Sequence, residues 1–170
     1  IGVRTKDTGP YALLEFTGAL PRASLFTKWQ SYTNDEALLT RLADPSFVPS
    51  QEEVLISGVI GNSSTTNAPA GTVEMTSYAP KRIQLKTQSV APAVVMLTDK
   101  YDGDWNVRVD GQPATLLRCN FLMRGVQISA GQHAVEFEFQ PPNLGLYVSG
   151  AGIVMGMLLC GVVFGRGRKL

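Results

Sequence analysis

Residues 102–113 read DGDWNVRVDGQP. Three aspartates and a tryptophan in so short a run admit two interpretations: a cation or sugar site, or a strand that enters a tight turn. The side-chain period decides between them. Trp105, Val107 and Val109 alternate with Asn106 and Arg108, and a period of two belongs to a half-buried strand. Asp110-Gly111 is then the dipeptide best suited to a two-residue type I′ turn, whose central positions both need positive φ. Asp99, Asp102 and Asp104 keep a DxxDxD spacing. A calcium loop, however, also needs ligands at further alternating positions and a closing glutamate, and neither follows. No metal ion is expected; a solvated turn ahead of the tryptophan strand is the better reading.

The same grammar extends outward from this stretch. TVEMTSY (72–78), KRIQLKTQS (81–89), AVVMLTD (93–99), WNVRVD (105–110), ATLLRC (114–119), FLMRGVQIS (121–129) and HAVEFEF (133–139) read as strands with turns between them. Short strands with close turns and no βαβ rhythm predict a mainly β chain, an antiparallel β-sandwich or jelly-roll-like domain. Upstream, YALLEF (11–16) and RASLFTKWQSY (22–32) are strand-like runs separated by the turn-prone GALP (18–21). One short helix of about ten residues follows: Asn34 caps it, Asp35 and Glu36 suit its positive end, and Ala37, Leu38, Leu39 and Leu42 form an apolar stripe before Asp44 and Pro45. EEVLISGVI (52–60) is a further strand, and GNSSTTNAPAG (61–71) is a polar loop.

The chain ends differently. Residues 144–164, LGLYVSGAGIVMGMLLCGVVF, carry no charge over 21 positions, and at about 1.5 Å per residue such a helix crosses a hydrocarbon core of roughly 30 Å. Arg166, Arg168 and Lys169 follow at once, the cationic flank of a cytoplasmic side. The expected organisation is an extracytoplasmic domain over 1–143, a transmembrane helix over 144–164 and a cytoplasmic basic tail over 165–170. Without those three cations, 12 basic and 14 acidic residues remain, and the formal net charge of +1 gives no reason to expect nucleic acid as a partner. The chain opens on Ile1 rather than methionine, as a fragment or processed product would. Ser149, Gly152, Gly156 and Cys160 recur at spacings of three and four, so they share one helix face. Gly152 and Gly156 form a GxxxG pair that lets another transmembrane helix approach closely.

Chemistry is sparse elsewhere. Cys119 lies in the domain and Cys160 in the membrane segment, too far apart to form a disulfide. His133 is the sole histidine, and its place after a turn in SAGQHAV reads as structural. GxSxG, Walker and dinucleotide motifs are absent from the sequence, so no catalytic residue and no cofactor is expected. Tyr101 and Trp105 have rings that can stack on a sugar, whereas a strand tryptophan more often fills a core. Arg124 sits among apolar neighbours in FLMRGV, where a guanidinium must point outward or find a partner. These three residues are the candidate glycan contacts.

The order of these pieces resembles the C-terminal part of the YfhO family of bacterial polytopic membrane proteins. The matching residues are LPRA (20–23), ALLTRLADPSFVPSQEEVLI (37–56), YAPKRIQLKTQS (78–89), VVMLTDKYDGDWNVRVDGQP (94–113) and NFLMRGVQISAGQHAVEFEFQPP (120–142). The most specific signature is a tryptophan strand entering VDG, then an asparagine, RGV, a GxH turn, and Phe139 followed by Pro141. The chain departs from that pattern at Gly103-Asp104-Trp105, where glycine is expected directly before the tryptophan. The resemblance implies a multi-spanning protein of the bacterial cell membrane, similar to C-type glycosyltransferases, which transfer sugars from lipid-linked donors to cell-envelope polymers. Their presumed acidic catalytic residues lie in early extracytoplasmic loops, and no position here matches them. On this reading the chain is a noncatalytic outer domain with the last membrane helix. Its partners are the lipid bilayer, other transmembrane helices, and cell-envelope glycan or lipid-linked sugar. A carbohydrate-binding module and a purely structural or interaction domain are the alternatives.

Overall fold

A computed structural model describes residues 3–7, 12–16, 19, 21–47, 53–58, 60 and 70–167. Most of the polar loop 61–71, parts of YALLEF and GALP, and Arg168 and Lys169 of the basic tail lie outside the described residues. Two units divide at Phe139 and Gln140. The first contains β1 (Val3–Asp7), β2 (Ala12–Phe16), β3 (Ala23–Phe26), β4 (Lys28–Tyr32), α1 (Asp35–Leu42), β5 (Glu53–Ser57), β6 (Thr72–Ala79) and β7 (Arg82–Ser89). It continues through β8 (Ala93–Lys100), β9 (Trp105–Val109), β10 (Gln112–Ala114), β11 (Leu117–Cys119), β12 (Met123–Ile128) and β13 (Gly131–Phe139). The second contains α2 (Leu144–Gly167).

The strands form a β1-β2 hairpin, a five-stranded sheet ordered β10-β9-β13-β7-β6 and a six-stranded sheet ordered β3-β8-β12-β11-β5-β4. The mainly β sandwich read from the alternation is present. Ile83 and Leu85 of β7, Val107 of β9, and Val135 and Phe137 of β13 meet Ala93, Val95 and Leu97 of β8 and Val126 and Ile128 of β12 in one buried core. A second core gathers Val94 and Met96 with Phe26, Trp29, Val54, Ile56, Leu117 and Cys119. Strand β8 is thus buried on both faces. That is why AVVML is an unbroken apolar run instead of an alternating one.

The second core exists because the six-stranded sheet curls. β3 and β4 stand at its opposite ends, yet only Thr27 separates them in sequence. Successive Cα atoms are 3.8 Å apart, so Phe26 and Lys28 lie within about 7 Å of each other. Across a flat sheet the two edges would be roughly 24 Å apart at the usual strand spacing. RASLFTKWQSY is therefore two strands that change partners at buried Thr27, not one. β4 also pairs with β5 in parallel, an exception to the expected antiparallel pattern. ATLLRC likewise divides, with Ala114 ending β10 in one sheet and Leu117 opening β11 in the other.

Helix α1 has eight residues instead of ten, and the Asn34 side chain accepts a hydrogen bond from the Glu36 N–H at 2.8 Å. Of the expected stripe only Leu38 is buried, against Phe47 and Leu55; Leu39 faces solvent, because the helix covers the sheet with one side only. In the second unit, the 24 residues of α2 extend roughly 36 Å. Its window Leu144–Gly161 is long and apolar enough to cross a membrane, and none of it is buried.

Candidate functional site

Two of the three candidate glycan contacts come together. Arg124 on β12 is only 4% exposed. Its Nη2 donates to Asp99 Oδ2 at 2.8 Å and its Nη1 to the Lys100 carbonyl at 3.1 Å. The guanidinium carbon stands 3.8 Å from the centroid of the Trp105 ring. The partner that FLMRGV demanded is therefore Asp99, three strands of sequence away and adjacent through the β12–β8 pairing. Burial pushes the Arg124 guanidinium below its ordinary value, and Asp99 acts against that shift. Asp99 also accepts from Arg22 at 2.9 Å, and Arg22 lies over the Tyr78 ring, 4.2 Å from its centroid, while donating to the Tyr78 hydroxyl. The Trp105 ring also meets that of Phe139, centroid to centroid at 5.3 Å. Half-buried Tyr101 is tied nearby through its backbone N–H, which donates to the Leu122 carbonyl at 2.7 Å.

This geometry assigns the surrounding acids as well. Asp99 pairs with two guanidinium groups, and Asp102 accepts from the Asp104 N–H at 2.9 Å, closing the turn into β9. Among the described residues no group of three or more His, Cys, Asp or Glu is placed to hold a metal ion. One face of Trp105 is occupied by Arg124, so a stacked sugar would have to use another part of the ring.

Asp110 and Gly111 occupy the expected turn, with φ of 51° and 78°, and Val109 pairs directly with Gln112. The carboxylate does more than the turn requires. Asp110 Oδ1 accepts from the Ala134 N–H at 2.8 Å, and Oδ2 lies 2.7 Å from His133 Nδ1. His133 Nε2 is in turn 2.9 Å from Ser129 Oγ. The His133 hydrogen bond, followed by that of the Ala134 amide, holds the Asp110 carboxyl below the usual carboxylate range. Sequence reading placed Asp110 in a turn and His133 after one, but missed their junction. The signal is the β9–β13 pairing, Val109 opposite Val135, which an alternating pattern does not specify.

On the outer face of the five-stranded sheet, away from the core side that His133 shares with Val135 and Phe137, lies a cleft of about 380 Å³, lined by Thr72, Glu74, Lys86 and Gln132 among others. In the other buried core, Cys119 has its thiol pushed up to about 12 by burial, which makes it a packing group. On α2, a Cβ built at Gly152 or Gly156 would meet nothing within 4 Å.

A family model described as bacterial membrane protein YfhO matches residues 63–149, just over half of the chain. The matched stretch takes in β6 to β13 and the first turns of α2. Neither the curated proteins nor the solved structures contain a match to this sequence.

Proposed function

Because the chain belongs to the YfhO family of bacterial membrane proteins, we propose that it is the noncatalytic outer domain and last membrane helix of a polytopic protein that transfers sugars from lipid-linked donors to cell-envelope polymers. The proposed layout is an extracytoplasmic domain over 1–143, a span over 144–164 and a cytoplasmic tail over 165–170. The observation that carries membrane attachment is α2 itself. Its apolar window is wholly exposed, and hydrocarbon is the solvent in which such a surface costs nothing. The three cations after residue 164 support the orientation, since basic flanks stay on the cytoplasmic side.

Within this reading the domain braces the assembly, and the face bearing Gly152 and Gly156 receives a neighbouring helix. The burial of Arg124 beneath Trp105 favours bracing over an open sugar platform. A glycan contact at Tyr101, Trp105 and Arg124 is the second reading, favoured by the incomplete burial of both rings.

Cysteines introduced at exposed Gln88 and Gln132 of the full-length parent test the topology, in a background with Cys160 replaced by serine. An impermeant maleimide applied to intact cells is expected to label both. Labelling only after the membrane is breached reverses the orientation. Cells lacking the parent are expected to make an envelope polymer with less sugar, and unchanged decoration would remove the transferase reading.

A further inference from the structure

We propose that Ser129, His133 and Asp110 form a nucleophilic site that takes the acyl group from small esters. The inference is independent of sugar transfer, the activity in which the domain is proposed to be noncatalytic. It rests on the order of atoms along two hydrogen bonds. An ionised Asp110 only accepts, so His133 carries its proton on Nδ1, 2.7 Å away. Nε2 of the neutral ring is then a lone pair, and at 2.9 Å it accepts from the Ser129 hydroxyl. The serine is the donor to a base whose tautomer is fixed by a carboxylate, the arrangement that activates a hydroxyl wherever it occurs. Asp110 is itself fixed by the Ala134 N–H at 2.8 Å, and the His133 side chain is only 14% exposed, so the relay is held from both ends.

Ser129 is exposed, so a small ester reaches its hydroxyl directly from solvent.

In the reaction, Ser129 Oγ bonds to the ester carbonyl carbon as its proton passes to His133 Nε2. The ester C–O bond then breaks, and the alcohol leaves with that proton. Water attacks the O-acylserine, again giving a proton to Nε2; the carboxylic acid departs and Ser129 regains its hydrogen. Ser129 and His133 are the catalytic residues, and Asp110 is a positioning residue. Ser129 is exposed, so general-base assistance of about 10²–10⁴-fold is the expected rate gain.

The test treats the full chain in detergent micelles with p-nitrophenyl acetate and maps acetylated peptides. Ser129 is expected to acquire the acetyl group, at least about a hundredfold more slowly in a folded His133→Gln chain. In Asp110→Asn the amide can donate to Nδ1, so ¹⁵N NMR of the ring is expected to show the proton moved to Nε2, together with loss of Ser129 acetylation. A folded wild-type chain that leaves Ser129 unmodified overturns the proposal, as does His133→Gln acetylated at the wild-type rate.

Discussion

The guanidinium of Arg124 is held between the Asp99 carboxylate, 2.8 Å away, and the Trp105 ring, whose centroid is 3.8 Å from its central carbon. This is a buried cation with one ionic partner and one aromatic one. The two are not equivalent, because removing the carboxylate leaves a charge stranded whereas removing the ring leaves it paired.

Asp99→Ala is therefore expected to cost about 3 kcal/mol, the lower range for breaking a buried pair by deleting one partner. Arg124→Met, which removes the charge itself, should cost less on top of Asp99→Ala than it does alone. Denaturant unfolding of the four chains of the double-mutant cycle measures the coupling; additive losses would show that Asp99 and Arg124 stand independently.

Two glycines should respond for different reasons. A Cβ at Gly125 would lie 2.5 Å from the Val95 carbonyl oxygen and 2.8 Å from Cys119 Sγ. Backbone must move, so Gly125→Ala is expected to cost about 3 kcal/mol, at the upper end for overpacking. Gly111 has open space around it but a φ of +78°, so Gly111→Ala should cost only about 1 kcal/mol. Asp110→Asn keeps a turn-competent residue and is expected to be mild. Melting temperatures rank the three.

The pH dependence has a defined sign. Hydrogen bonds from His133 and the Ala134 amide depress the Asp110 carboxyl, and Gln84 and then Arg82 depress that of Glu136. A carboxyl whose folded pKa is lowered adds stability above its unfolded value and loses it as the pH falls through the folded one. The domain is expected to weaken below about pH 4. Asp110→Asn and Glu136→Gln should flatten that loss, whereas an identical acid profile in both variants would place the sensitive groups elsewhere.

Cys119 is wholly buried with its thiol raised to about 12. Iodoacetamide at pH 8 is expected to leave it unmodified in the folded chain and to alkylate it in denaturant, because the thiolate is the reacting form. Alkylation at the native pace of a free thiol would mean that the second core opens readily.

Gly152→Leu with Gly156→Leu keeps α2 apolar but fills the face left open at both positions. The expected result is a parent protein still inserted but reduced in abundance or function, read by membrane fractionation and by envelope-polymer decoration. Normal behaviour would make that face incidental.

The sequence by itself determined whatever depends on neighbours along the chain. Alternation marked β7, β9 and β13, Asp110-Gly111 marked a positive-φ turn, Asn34 marked a helix start, and an uncharged run marked α2. Each follows from backbone sterics or side-chain period, which act within a few residues. Tertiary structure alone decided which strands are neighbours. Thr27 turns one apparent strand into two opposite edges, β8 is covered on both faces, Arg124 finds Asp99, and Asp110 reaches His133 across 23 positions. Those outcomes depend on register and sheet curvature, set by how whole apolar faces pack together. A period of two fixes which face a side chain takes, and says nothing of what waits on the other side.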